Sequence, residues 1–342
     1  MRKYRKLLIL VLLLCAGGAA LWIYWNWKAP PRAARVLPDG DRLLYIDLRP
    51  LRLWDSNKSK PLQLEGDYQQ FVDQTGIRFE RDLNQAAVVW RDPADGRDTE
   101  SAAIFVARFD PDRLQRYLQS ISSRTDAYHD QTIYSIPHES HVVRVSILDD
   151  KTIAVTNMAA VETMPGIIDR WKHSSGGPAL LTEYYGRIPA GSLAWVVDRF
   201  PPGSSAAQLP GGLSFSFLEN TVAVVSARYN GDLLLRGDVF AASESDARRL
   251  IDSATTFLSL YRGISSSVAR GSARDVKAAL DSIRVEQKGN VVVFSASLSQ
   301  NFLKKMLEEA QPQVLPATPS PSPSPLPGPK KGDRRSRTTL HR

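Results

Sequence analysis

A single cysteine, Cys15, occurs in the 342 residues, so the chain can form no internal disulfide and must rely on packing for stability. Histidine is also scarce, and a metal site would have to draw on His129, His138, His141, His173 and carboxylates. His138-Glu139-Ser140-His141 spaces its imidazoles by three residues, not by the four that set both rings of His-Glu-x-x-His on one helical face. Between Ile136-Pro137 and Val142-Val143 the motif reads as strand or loop, with the two histidines at the surface. Gly-x-Ser-x-Gly is missing too, because Gly212-Leu213-Ser214-Phe215-Ser216 lacks the second glycine and reads as a strand. The glycine-rich loops that cradle phosphates are likewise absent. Paired carboxylates have simpler roles: Asp110 and Asp112 start a helix, Asp149 and Asp150 make a turn, and Glu308 and Glu309 end a helix in solvent. These absences leave no catalytic, cofactor-binding or metal-binding residue and no cofactor to assign, and the chain reads as non-enzymatic.

Basic residues outnumber acidic ones, 44 to 36, but the excess lies at the two ends. Arg2, Lys3, Arg5 and Lys6 crowd the N-terminus, and the stretch from Lys330 onward is net +5, leaving the chain between them at −1. A nucleic-acid-binding domain would carry a basic face of its own, so no nucleic-acid partner is expected. Residues 7–27 contain no charge and would span about 31 Å as a helix, the thickness of a hydrocarbon core. Trp22, Tyr24, Trp25 and Trp27 gather at its far end, as interfacial rings do. The expectation is a basic cytoplasmic end over 1–6, an uncleaved single-pass anchor over 7–27, and the bulk of the chain periplasmic or extracellular. Cleavage near Gly18-Ala19-Ala20 is the competing outcome. Residues 313–342, with their Pro/Ser repeat and basic end, read as a disordered tail able to reach an anionic surface.

Between these ends the pattern predicts an α+β fold of two similar antiparallel-sheet and helix halves, 36–173 and 179–312, ferredoxin-like in style. Pro38, Gly40, Asp47 and Pro50 recur as Pro189, Gly191, Asp198 and Pro201, each 151 residues on, around the apolar runs Leu43–Ile46 and Ala194–Val197. Asp47 and Asp198 are therefore expected at equivalent places, capping the turns made with Pro50 and Pro201. In the first half, strands are predicted at 99–108, 131–136, 141–148 and 152–156. A helix capped by Asp110, with Pro111 at its first position, follows the first strand, and another closes the half over about 159–171. In the second half, strands are predicted at 213–218, 221–228, 232–240, 281–287 and 291–298. Turns fall at Glu219-Asn220 and Asn230-Gly231, a helix begins at Ser243, a loop spans 263–272, and a last helix is capped by Ser299. Helices are expected over one face of the strands.

Leu37-Pro38-Asp39-Gly40 leading into Leu43–Leu51, followed by Thr75-Gly76-Ile77 and Arg81-Asp82-Leu83, resembles uncharacterised bacterial families of signal-anchored extracytoplasmic proteins. The resemblance covers mainly the first half and implies an exported, duplicated α+β domain without catalytic residues. The functional expectation is a membrane-anchored binding or scaffolding protein of the cell envelope, whose partner is an envelope protein or an anionic surface. An envelope hydrolase with a dispersed site, or a tether acting through the basic tail, are the alternatives.

Overall fold

The computed structural model describes residues 29–52, 66–93, 98–139, 141–173, 176–200, 207–209, 213–215, 221–267 and 273–303. The basic end, the anchor over 7–27, the turn at Glu219-Asn220, the pair Glu308 and Glu309, and the tail over 313–342 lie outside these residues. Among the described residues no helix is long and apolar enough to cross a membrane.

The fold is α+β and dominated by one twelve-stranded antiparallel sheet. Its first part comprises β1 (Arg42–Asp47), β2 (Leu83–Arg91), β3 (Glu100–Ala107), β4 (Arg124–Tyr128), β5 (Gln131–His138), β6 (His141–Ile147) and β7 (Thr152–Thr156). The second part has β8 (Ala194–Phe200), β11 (Thr221–Asn230), β12 (Asp232–Phe240), β13 (Arg284–Lys288) and β14 (Val291–Leu298). β9 (Ala207–Leu209) and β10 (Leu213–Phe215) pair separately with each other. The order across the large sheet is β13-β14-β12-β11-β8-β1-β2-β3-β7-β6-β5-β4. Read outward from the β1–β8 pair, β1-β2-β3-β7-β6 repeats as β8-β11-β12-β14-β13, with β5 and β4 added on one side. The repetition is topological: within the large sheet each half opens as an antiparallel meander of three strands, and a crossover then sets non-consecutive strands side by side, β7 next to β3 and β14 next to β12.

Helices α1 (Arg32–Arg35), α2 (Arg49–Arg52), α3 (Gly66–Thr75), α4 (Phe79–Asp82), α5 (Pro111–Ile121), α6 (Thr163–His173), α7 (Ala179–Tyr184), α8 (Glu244–Ser267) and α9 (Ala273–Ser282) complete the described elements, with a 3-10 turn at Tyr185–Arg187. Asp110 caps α5 by accepting from the amides of Asp112 and Arg113, as its position before Pro111 predicts. α6 begins at Thr163, four residues later than the apolar pattern alone suggests, because Met158 is drawn into the core with its amide bonded to the Thr156 hydroxyl. α8 runs past Gly263 to Ser267, through the first part of the expected loop.

The helices cover both faces of the sheet, not one. On one face Leu43, Tyr45, Ala87, Ile104, Trp195 and Val197 pack under Met164, Ile167 and Ile168 of α6, Leu180 and Leu181 of α7, and Ala33 and Ala34 of α1. On the other face α5 lays Leu114 and Leu118 on Tyr134 and Val145, and α8 lays Ala247 and Leu250 on Ala223, Val239 and Val292. The reason is local: Ala86-Ala87-Val88-Val89 in β2 and Val222-Ala223-Val224 in β11 are continuous apolar runs, so both sides of the strand ask for cover. Each fully buried leucine or isoleucine contributes about 1.5–3 kcal/mol. The outermost strands are short and charged, with Arg124 and Asp126 in β4 and Arg284, Glu286 and Lys288 in β13.

Candidate functional pocket

The cover is incomplete beneath the second half of α8. Ser243 fixes the start of this helix, accepting from the Asp246 amide at 3.1 Å and donating to its carboxylate at 2.7 Å. Over 24 residues the helix reaches about 36 Å. Its first turns seat Ala247, Leu250 and Ala254 in the core. Beyond Ala254, Phe257 and Leu258 stand over Val225, Leu235 and Gly237 across a pocket of about 360 Å³, with Ile283 and Phe294 at its side. Arg236 and Ser295 also border it, but the pleat turns these two side chains to the opposite face.

Gly237 shapes the floor. A Cβ there would sit 3.7 Å from Val225 Cγ2 and 3.9 Å from Phe294 Cβ, ordinary contacts, so the missing side chain leaves room that a larger residue would take. The corresponding strand of the first half carries Ala103, and the space under its helix α5 is filled by Ile77, Leu114, Leu118 and Tyr134, with Phe71 and Tyr117 packed behind. The two flanks share a topology, and one of them is hollow. The cross-strand row that crosses the pocket floor runs from Phe294 through Gly237, Val225, Val196, Leu44 and Val88, so the apolar lining continues onto the central strands. Val225, 41% exposed, marks where the lining meets solvent.

Among the described residues, no carboxylate, imidazole or amine lines this pocket. Its chemistry is that of exclusion of water from hydrocarbon, with a size at the lower end for ligand pockets.

The residues singled out from the sequence lie elsewhere. Asp47 accepts the Arg49 amide at 3.0 Å and its guanidinium at 2.5 Å, so it does cap a turn. Burial works to raise the Asp47 carboxyl, but the hydrogen bonds from Arg49 outweigh it and hold it below its ordinary value. Asp198 instead lies within β8 and pairs with Arg42 at 2.8 Å; burial pushes its carboxyl above the ordinary value against the pull of Arg42. The two aspartates are not equivalent. Tyr45 opposes Trp195 and Leu44 opposes Val196 in the ladder, and a two-fold relation between antiparallel neighbours keeps each residue on its own face. Equivalent positions must then differ by an even number, such as 152, whereas 151 sets Asp47 on the side of Tyr45 and Asp198 on the side of Arg42.

His138 and His141 face each other across the β5–β6 turn, ring centroids 5.4 Å apart, with Glu139 at φ +49°. Among the described residues no group of three or more His, Cys, Asp or Glu stands close enough to hold a metal ion. Asp149 accepts the Lys151 amide in the β6–β7 turn, and Ser214 lies in β10. The pocket itself escaped the sequence because its signal is a void: Gly237, within an otherwise apolar strand, is the one visible trace.

No family model matches the chain, and no curated protein matches it. Among solved structures it is similar to crystal form I of TP0453, at 15% identity and a TM-score of 0.42, over 83% of this chain and 99% of that one. Crystal form III of TP0453 gives 12% identity and a TM-score of 0.42, over 82% and 99%. Likeness at this level assigns neither a family nor a function.

Proposed function

We propose that this chain is a non-enzymatic binding protein of the cell envelope, anchored by residues 7–27, that takes a hydrocarbon chain into the pocket beneath α8. The observation that carries this reading is the pocket of about 360 Å³ walled by Val225, Leu235, Phe257, Leu258 and Phe294 over the side-chain-free floor at Gly237. Its volume accommodates roughly a dozen groups of water-like size, about that of a medium acyl chain. Burying that chain removes apolar surface at about 25 cal/mol per Å² and requires no polar partner, and none is offered. An envelope hydrolase is less well supported, since a nucleophile and its base would have to converge on such a pocket and none of the described lining residues is a base.

The test is photo-crosslinking of the full chain in its membrane with a diazirine-bearing fatty acid, followed by mapping of the labelled peptides. Label on the segments 233–240, 254–258 or 291–296 is expected. Label confined to residues 7–27 would reduce the protein to an anchored chain with no hydrocarbon site in its exported part.

A further inference from the structure

The opposite face of the same flank, over β11, β12 and β14, bears a second cavity of about 470 Å³, lined by Ser226, Arg228, Leu234, Arg236, Ser295 and Ser297 among others. Tyr184 of α7 covers Phe240 at one end of this face and Ser282 of α9 bonds the Ser297 backbone at the other, and exposure between them accounts for polar residues there. It does not account for a serine set directly between two arginines, with a third arginine on the strand beyond. Ser295 lies between Arg236 on one neighbouring strand and Arg284 on the other, within about 5 Å of each backbone, and Arg228 sits diagonally from Arg236 at about 7–8 Å.

The state of each group is informative. Arg236 is held by Asp238, through Nε to Oδ1 at 3.0 Å and Nη2 to Oδ2 at 3.2 Å, and Asp238 is buried, so its charge is spent on that pair. Nη1 of Arg236 stays without a partner among the described residues. Arg284 donates one Nη1 bond to the Asp281 carbonyl and keeps its remaining donors. Arg228 has no ion-pair partner among the described residues, and the Ser295 hydroxyl makes no side-chain hydrogen bond there. Asp232 accepts from Ser297 at 3.4 Å at the rim, and Glu286, two residues from Arg284 on the same face of β13, pairs with Lys288 at 3.6 Å. The donors that Arg236 and Arg284 have left, with a hydroxyl between them, suit an oxyanion that accepts charge-assisted bonds from each side.

We propose that this arginine groove binds a phosphate group, presented either free or on a phosphorylated lipid headgroup. The basic C-terminal tail also attracts anions, so the experiment compares variants of the full chain held in neutral phosphatidylcholine nanodiscs. Inorganic phosphate is titrated calorimetrically in one arm, and binding to phosphatidic acid vesicles is measured in the other. Arg228→Ala and Arg284→Ala are each expected to weaken binding about tenfold or more, the cost of losing a hydrogen bond to a charged group. Arg228→Lys recovers part of it, having the charge without the fork. Loss in both arms identifies a site for phosphate as such, and loss with vesicles alone identifies a headgroup site. Unchanged binding in both arms overturns the proposal, as does an equal loss on replacing the exposed, remote Arg116 on α5, which would reveal general attraction.

Discussion

The rings of Tyr45 and Trp195 stack across the β1–β8 ladder with centroids 5.5 Å apart and planes 25° from parallel. Tyr185 meets the edge of the same indole at 5.9 Å. β1–β8 is the pair through which the two flanks join into one sheet, so this contact sits at the seam.

Removing the indole should therefore weaken the whole sheet. Trp195→Ala is expected to lower stability by about 3–5 kcal/mol, as for other buried aromatics. Urea unfolding followed by circular dichroism measures it. A loss below about 1 kcal/mol, within the range of surface substitutions, would show that the seam does not depend on this stack.

Filling the pocket should separate binding from folding. Gly237→Val places a branched side chain against Val225 and Phe294 and suits a strand better than glycine does. Photo-labelling by the fatty acid should fall by an order of magnitude or more, while the melting temperature holds or rises. Labelling at the wild-type level in a folded variant would place the hydrocarbon elsewhere.

Ser146 offers a test of a different kind. Its hydroxyl is buried in β6 and has no hydrogen-bond partner among the described residues. Ser146→Ala removes an unsatisfied polar atom, and stability should rise by about 1 kcal/mol. A fall of that size in thermal unfolding would mean that the hydroxyl is bonded after all, through water.

Acid should expose the role of Asp82. Its burial works to raise the carboxyl, but hydrogen bonds from the Arg81 guanidinium and the Arg78 amide, with Arg108 nearby, bring it below the ordinary carboxylate value. A depressed folded pKa stabilises the protein above the unfolded value of about 4, and that stabilisation is lost as pH falls through the lower folded value. Asp82→Asn should melt below wild type at pH 7, and the gap should narrow under about pH 4. A gap independent of pH would assign Asp82 a role that does not depend on its charge.

Much of this fold is written in local signals. Asp110-Pro111, Ser243 with Asp246, and Asn230-Gly231, whose glycine takes φ +82°, mark helix starts and a turn where they occur. Strand β2 left no comparable mark, since Ala86-Ala87-Val88-Val89-Trp90 is apolar without alternation and its partners β1 and β3 are set by tertiary pairing. The echo between Asp47 and Asp198 misled for a related reason: spacing along a chain does not carry the parity of the pleat, which decides what two strand residues share. The pocket was invisible because it depends on how far α8 stands from the sheet beyond Ala254, and a helical repeat of apolar residues looks the same whether or not it reaches its floor.

The sheet also has two ends. At β4 the last row of free backbone groups is flanked by Arg124 and Asp126, and at β13 by Arg284, Glu286 and Lys288. A second copy that tried to extend the ladder would have to strip water from ions of both signs along strands of five residues. Neither described edge invites another strand, so molecules can crowd against one another without their sheets fusing into a longer one.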